Sequence, residues 1–398
     1  MKMHSFLAAC ECRAADVALH QAVRTHLRSP PGTPAWRIEW REGRGRVLVA
    51  ARDLPAATLV FCEHPLVVAA VVDAGGDAHN GEAQAVGSAL LDMTAEAAAV
   101  LCSPAHVAGT AEATAFAKAA EAFAKACPKH DPQRARHCLG IASVNVHGAE
   151  RPRRGVLGVL SSMMEHECSP SARVTLGDEA GGSLLSLRTL RRVVKGESLS
   201  ITYVPAYQPT AVRRGQLLQQ HGFTCRCVRC EEAPELVRCF VCPSCREGPA
   251  SPASSRADCR TLICTECGAS SQLDHESWEV LMAAEASEDL GECVRHLHPY
   301  HHKMVVAYRH NIARVPIAGG QRAELFCQFA DARIRLTSDE LDPLAAADLE
   351  RAAVSFRAAG DVHSAARVFS SANEGYAAHY GVESPEAARC RRAIAALG

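Results

Sequence analysis

Nine of the chain's nineteen cysteines fall between Cys225 and Cys267. Thiolates at such density either bind a soft cation or form disulfides. Cys225, Cys227 and Cys230 stand as Cys-x-Cys-x2-Cys in FTCRCVRC, and Cys242, Cys245, Cys264 and Cys267 as two Cys-x2-Cys pairs separated by eighteen residues. The second group has zinc-ribbon spacing, in which four thiolates close a tetrahedral structural site. Cys239, which forms CFVC with Cys242, and Cys259 leave open a shift of ligands by one pair. A disulfide framework needs an oxidising compartment and usually a short secreted chain. The N-terminal text MKMHSFLAACECRAADVALH has no apolar core ahead of a cleavage signal, and no run of apolar residues is long enough to span a membrane. Reduced, metal-bound cysteines are therefore expected.

The residues around these cysteines suggest what holds them in place. From Gly45 to Val72, short β-branched runs broken at Leu54-Pro55 predict two or three strands, and GDAHNGEAQ (76–84) reads as a loop. Alanine-rich text follows from Ser88 to Ala126, with Phe116, Ala119, Ala120 and Phe123 at the spacing of an amphipathic helix. Strand text returns at 171–176, 183–190 and 197–204, so a helical insert of about residues 86–140 divides a β-rich domain. Residues 275–398 read as helices punctuated at VPIAGG, LDP, AAGD and GVESP, with Ala366, Phe369, Tyr376 and Ala387 as expected interhelical contacts. Hydrophobic residues make up 48% of the chain, enough for more than one packed core, and 43 Lys plus Arg balance 44 Asp plus Glu. The basic runs RPRRG (151–155) and RTLRRVVKG (188–196) are read as solvated faces, and nucleic acid is not an expected partner.

Four segments then occur in an informative order: GRGRVLVA from Gly43, EHECSPSA from Glu165, GESLSITY from Gly196 and FTCRCVRC from Phe223. They resemble GRG-x-x-A, NHSC-x-PN, GEE-x-x-I-x-Y and F-x-C-x-C-x-x-C of the SET-domain lysine methyltransferases of the SMYD (SET and MYND) branch, over roughly residues 36–230. The resemblance implies an α+β protein: an N-terminal helical extension (1–35), a β-rich SET domain (36–215) split by the helical insert, a post-SET zinc segment (216–232), a zinc-ribbon-like segment (233–274) and a helical TPR-like domain (275–398).

The family also implies roles for individual residues. Tyr203 takes the place of the catalytic tyrosine. Glu42, Gly43, Arg44, Asn145, Glu165, His166, Tyr203 and Phe223 fall where the family contacts S-adenosylmethionine. Cys168 supplies the fourth ligand to Cys225, Cys227 and Cys230, making the first of two structural zinc sites; Cys242, Cys245, Cys264 and Cys267 make the second. The implied activity is S-adenosylmethionine-dependent N-methylation of a lysine in a histone or non-histone protein, in the cytoplasm or nucleus, with a peptide partner possible on the C-terminal helices and no membrane involvement. Three departures stand against it. Glu165 replaces the asparagine of NHSC, exchanging a donor for an acceptor. Ser171 replaces the asparagine after Cys-x-Pro. No MYND module is present, since residues 62–138 hold only Cys62, Cys102, Cys127 and Cys138, without paired spacing. A catalytically degenerate SET protein, acting as a zinc-stabilised interaction module, is the alternative reading.

Overall fold

The computed structural model describes residues 23, 25–27, 34–41, 45–71, 78–93, 111–150, 153–179, 182–231, 235, 237–254, 259–314, 319–337 and 342–397. Most of the expected N-terminal extension, and Glu42, Gly43 and Arg44, lie outside them. The chain divides into two compact units, Met1–Tyr203 with Arg214–Cys225, and Val204–Arg213 with Arg226–Gly398.

The first unit is built of short strands. β1 (Trp36–Arg41) and β2 (Gly45–Ala50) form an antiparallel hairpin, while β3 (Leu59–Glu63) lies beside β9 (Gly182–Thr189), which pairs along its length with β8 (Ala172–Glu179). β4 (Val67–Ala70) and β5 (His147–Glu150) flank β6 (Arg153–Leu157). Trp36, Ile38, Leu48, Phe61, Leu187, Val193 and Leu199 fill the core between these sheets. Of the two or three strands expected between Gly45 and Val72, the structure has three, β2, β3 and β4. The RPRRG run is less solvated than its charge suggests, because β6 uses its second half as a central strand.

The insert is helical and starts earlier than its composition indicates. α1 (Ala78–Leu91) runs through the segment read as a loop, because Ala83, Val86, Leu90 and Leu91 bury one face against α3 (Pro132–Asn145) and β6. α2 (Ala111–Ala126) buries Ala120, Phe123 and Ala124, whereas Ala119 faces solvent, so the apolar stripe lies one position from where the spacing put it. α3 begins where Asp131 accepts a hydrogen bond from Arg134 N at 2.8 Å and Pro132 occupies the first turn.

Glu63 ties these parts together. Its carboxylate is buried and accepts from three successive backbone N–H groups, Val159 (3.0 Å), Leu160 (2.8 Å) and Ser161 (2.8 Å), at the start of the 3-10 turn Ser161–Met163. A Cβ at Gly158 would run into that carboxylate and the Ser161 hydroxyl, so the close approach requires glycine there.

In the second unit, α4 (Thr210–His221) contributes its first turn, and the short helix α5 (Val228–Glu231) follows. A four-stranded antiparallel sheet runs β11 (Phe240–Val241), β12 (Pro249–Pro252), β13 (Thr261–Cys264), β14 (Ser270–Gln272) in order. Among the described residues, seven helices follow: α6 (His275–Ala286), α7 (Leu290–His296), α8 (His302–Arg314), α9 (Gly319–Thr337), α10 (Pro343–Ala358), α11 (Val362–Tyr380) and α12 (Pro385–Ala395). The punctuation read from sequence supplies their caps. Asp342, Asp361 and Ser384 each accept from a first-turn backbone N–H, at 2.8, 3.0 and 3.3 Å, and Gly381 closes α11 with φ +97°. Phe369, Tyr376 and Ala387 are buried between the last helices as expected, with Ala365 more deeply placed than Ala366.

Replacing Glu63 by Ala should cost on the order of 3 kcal/mol in a urea unfolding titration, because three buried N–H groups lose their acceptor together. A loss below about 1 kcal/mol would show that this carboxylate is not the brace described.

Candidate functional site

The site of the first unit forms where β7 (Glu165–His166) pairs in parallel with β10 (Ser200–Ile201), Ser200 opposite Glu165 and Ile201 opposite His166. Strand text was expected over 197–204, but only these two residues pair as a strand. Serines complete the connection. Ser171 N donates to Ser200 Oγ (3.0 Å), Ser200 N to Ser171 Oγ (2.8 Å), and Ser200 Oγ to Glu167 Oε2 (3.0 Å). Ser171, one of the departures, is thus fully buried and used in full.

Tyr203 stands two residues past the end of β10. Its hydroxyl donates to Met164 O, and its ring lies 5.2 Å from that of His166 and 4.7 Å from that of His221. Phe223 closes the group, 5.9 Å from His166 and 6.4 Å from His221. Burial and the Glu165 charge push the Tyr203 phenol well above its ordinary value, so it stays protonated and remains a donor. His166 Nδ1 accepts from Tyr203 N at 3.1 Å, which leaves the ring proton on Nε2, facing Cys168 Sγ at 3.3 Å. Glu165 accepts from Ser198 Oγ at 2.7 Å and lies 3.6 Å from Arg41 Nη1.

The structure therefore gathers Glu165, His166, Tyr203 and Phe223 in one place. Asn145 is buried at the end of α3, and its amide donates to Ile141 O at 2.9 Å. Arg41, Ser198 and His221 were not singled out from sequence. Ser198 carried a visible signal, since it stands where the family pattern has its second glutamate.

The thiols group as two sets. Cys168 and Cys225 bring their sulfurs to 4.0 Å within the first unit. Cys227 and Cys230 belong to the second unit, where Cys230 N donates to Cys227 O at 2.9 Å in the turn that opens α5, and Arg213 Nη2 reaches Cys230 Sγ at 3.6 Å. In the ribbon segment, Cys242, Cys245, Cys264 and Cys267 place their sulfurs within 4.8 Å of one another, including Cys242–Cys267 at 3.7 Å and Cys245–Cys264 at 3.9 Å. A tetrahedral zinc with bonds of about 2.3 Å needs sulfurs about 3.8 Å apart, so this donor set fits the metal. Burial opposes the Cys242 thiolate, but N–H groups of Cys245 and Ser244 aimed at its sulfur bring its pKa down to about 6. Cys239 is fully buried outside the group, its thiol pushed well up by burial, and Cys259 Sγ turns to Thr261 O at 3.6 Å. A third group, Glu285, His301 and His302, also sets its ligand atoms within 4.8 Å.

Residues 45–204 match the SET domain family. Histone-lysine N-methyltransferase ATXR4 of Arabidopsis thaliana is 34% identical over 93 residues, 23% of this chain and 27% of that protein. Histone-lysine N-methyltransferase SMYD3 of Mus musculus is 33% identical over 90 residues, 22% of this chain and 20% of its own length. SET domain and MYND-type zinc finger protein 6 of Schizosaccharomyces pombe is 31% identical over 75 residues, 19% and 15% of the two chains. The matched stretch thus spans about a quarter or less of these relatives. A solved SET domain of LSMT bound to MeLysine and AdoHcy aligns at TM-score 0.38 and 13% identity over 96% of this chain and 91% of that one, too loosely to carry an argument. On the sequence matches and the ordered motifs, residues 45–204 are a SET domain of the SMYD type.

Proposed function

We propose that the chain is an S-adenosylmethionine-dependent protein lysine N-methyltransferase whose substrate is a lysine of a histone or non-histone protein. The observation that carries this reading is Tyr203, held at the end of β10 with a protonated hydroxyl and enclosed by His166 and His221. S-adenosylmethionine supplies a methyl group on a sulfonium, which loses its positive charge as the methyl leaves. Tyr203 serves as the catalytic residue by orienting the lysine amine, and its ring offers a face to a cationic head group. His166, His221 and Phe223 set their rings around one another and Tyr203, a wall that would shield the reacting centre from part of the solvent and so strengthen electrostatic contacts there. Glu42, Gly43, Arg44, Asn145, Glu165, His166 and Phe223 are proposed to line the cofactor site.

Two structural zinc ions accompany this reading. One takes Cys242, Cys245, Cys264 and Cys267, supported by the tetrahedral sulfur spacing. The other takes Cys168 and Cys225, completed by Cys227 and Cys230 of the same six-residue segment; the 4.0 Å approach of the first two sulfurs supports it. The domain bounds 36–215, 216–232, 233–274 and 275–398 are retained, with the last as a TPR-like peptide-binding unit. That assignment is supported by the way α9, α10, α11 and α12 pack in chain order, each against its sequence neighbours.

Calorimetric titration with S-adenosylmethionine should give saturable binding, and Tyr203→Phe should lower turnover on a lysine substrate by about a hundredfold or more with zinc content unchanged. No binding heat at millimolar cofactor would leave the interaction-module alternative standing. Elemental analysis should find two zinc ions per chain. Cys242→Ser should remove one of them, whereas Cys239→Ser should remove none; zinc loss in the Cys239 variant would reassign the ribbon ligands.

A further inference from the structure

Two departures from the family pattern sit on neighbouring elements: Glu165, where the pattern has asparagine, and Ser198, where it has the second glutamate after Gly196. The fold puts these two side chains in direct contact. Ser198 Oγ donates to Glu165 Oε2 at 2.7 Å, and Arg41 Nη1 lies 2.5 Å from Ser198 Oγ and 3.6 Å from Glu165 Oε2. Arg41 also approaches Glu39 Oε2 at 3.5 Å, at the longer end of a hydrogen bond. All four residues belong to the first unit.

Charge counting explains why the two departures occur together. The Glu165 side chain is only 14% exposed and that of Arg41 33%, so each is partly desolvated and depends on the other for compensation. With neither carboxylate, Arg41 keeps its hydrogen bond to the neutral Ser198 hydroxyl, and its charge is left with the long contact to Glu39. With glutamates at both 165 and 198, two anions meet where an oxygen–oxygen hydrogen bond now stands, and like charges at that separation repel strongly. One carboxylate, at either position, satisfies the guanidinium. The strand geometry then transmits the effect. Glu165 pairs with Ser200, the next residue along β7 is His166, and the His166 ring receives the Tyr203 backbone N–H.

We propose that Glu165 and Ser198 are a compensating exchange: the carboxylate that the pattern carries at position 198 has moved across to β7. Glu165, oriented by Ser198 and paired with Arg41, is then a positioning residue for the His166–Tyr203 segment in addition to its place in the proposed cofactor lining. The binding arm of the test rests on the methyl-donor reading above; the stability arm does not.

A double-mutant cycle on the full chain decides it, using wild type, Glu165→Asn, Ser198→Glu and the two combined. Each protein is followed by its thermal midpoint and by its calorimetric dissociation constant for S-adenosylmethionine. Each single substitution should lower the midpoint and weaken binding by about tenfold or more, and the combination should return binding to within about threefold of wild type. Losses that add in the double variant overturn the exchange. A single variant that fails to fold while the double variant folds supports it, since only coupling produces that result. Glu165→Gln, which keeps the size of the side chain and removes its charge, should behave like Glu165→Asn; a Gln variant matching wild type in both readouts overturns the charge argument. If wild type binds no S-adenosylmethionine, the methyl-donor reading fails and the midpoints alone decide the exchange.

Discussion

Two rungs of parallel pairing, Ser200 with Glu165 and Ile201 with His166, are the constraint on which the rest of the site depends. A two-residue strand is too short to persist by its own ladder, so side chains must hold it. Glu167 N donates to Ile201 O at 2.9 Å, and the reciprocal bonds of Ser171 and Ser200 fix the register on the other side. His166 extends the connection in both directions. One ring nitrogen takes the Tyr203 backbone N–H and the other faces the Cys168 sulfur, so a single imidazole links the strand end bearing the tyrosine to a thiol. That tautomer is set by hydrogen bonding, because Nδ1 cannot accept and carry the proton at once.

Much of this was legible in the residues and some was not. The chemistry-bearing positions announce themselves by type and order, and the caps at Asp342, Asp361 and Ser384 follow from local rules that need no tertiary contact. The helix at Ala78–Leu91 was hidden because its polar start reads as a loop, and only packing against α3 and β6 makes it helical. β6 was hidden because a basic run looks solvated until its neighbours on both sides are known. Glu63 could not be read at all. Its three donors lie about a hundred residues downstream, and nothing near it in sequence distinguishes it from a surface glutamate.

Ser171 and Glu165 show why a departure from a pattern is hard to weigh by itself. Taken singly, each is a lost amide. In place, Ser171 is fully buried with its hydroxyl both donating to Ser198 O at 3.2 Å and accepting from Ser200 N, and Glu165 has a cation and a hydroxyl beside it. Buried polar groups left without partners carry a penalty of about 1–3 kcal/mol each, so partners this complete indicate a site that has been rebuilt. The same carboxylate raises the Tyr203 phenol further above its ordinary value, after burial has done most of it. The glutamate at 165 therefore acts in the same direction as burial, and the tyrosine stays in its donor form.

Proximity of ligand atoms does not by itself make a metal site, and two groups in the chain differ in how well they would suit one. The ribbon thiols lie at tetrahedral spacing with backbone N–H groups turned toward Cys242, an arrangement that favours thiolate. Glu285, His301 and His302 are equally close together, yet Arg238 already donates to both carboxylate oxygens, at 2.9 and 2.8 Å. His301 Nδ1 accepts from Lys303 N at 3.2 Å, which places its proton on the Nε2 that faces Glu285. Burial also lowers the His301 pKa to about 4, so the ring stays neutral beside the ionised glutamate. A divalent ion there would have to displace a guanidinium from its carboxylate and reverse a tautomer fixed by the helix start. The thiol set needs neither change, and the difference lies in where the protons and charges already are, which distance does not report.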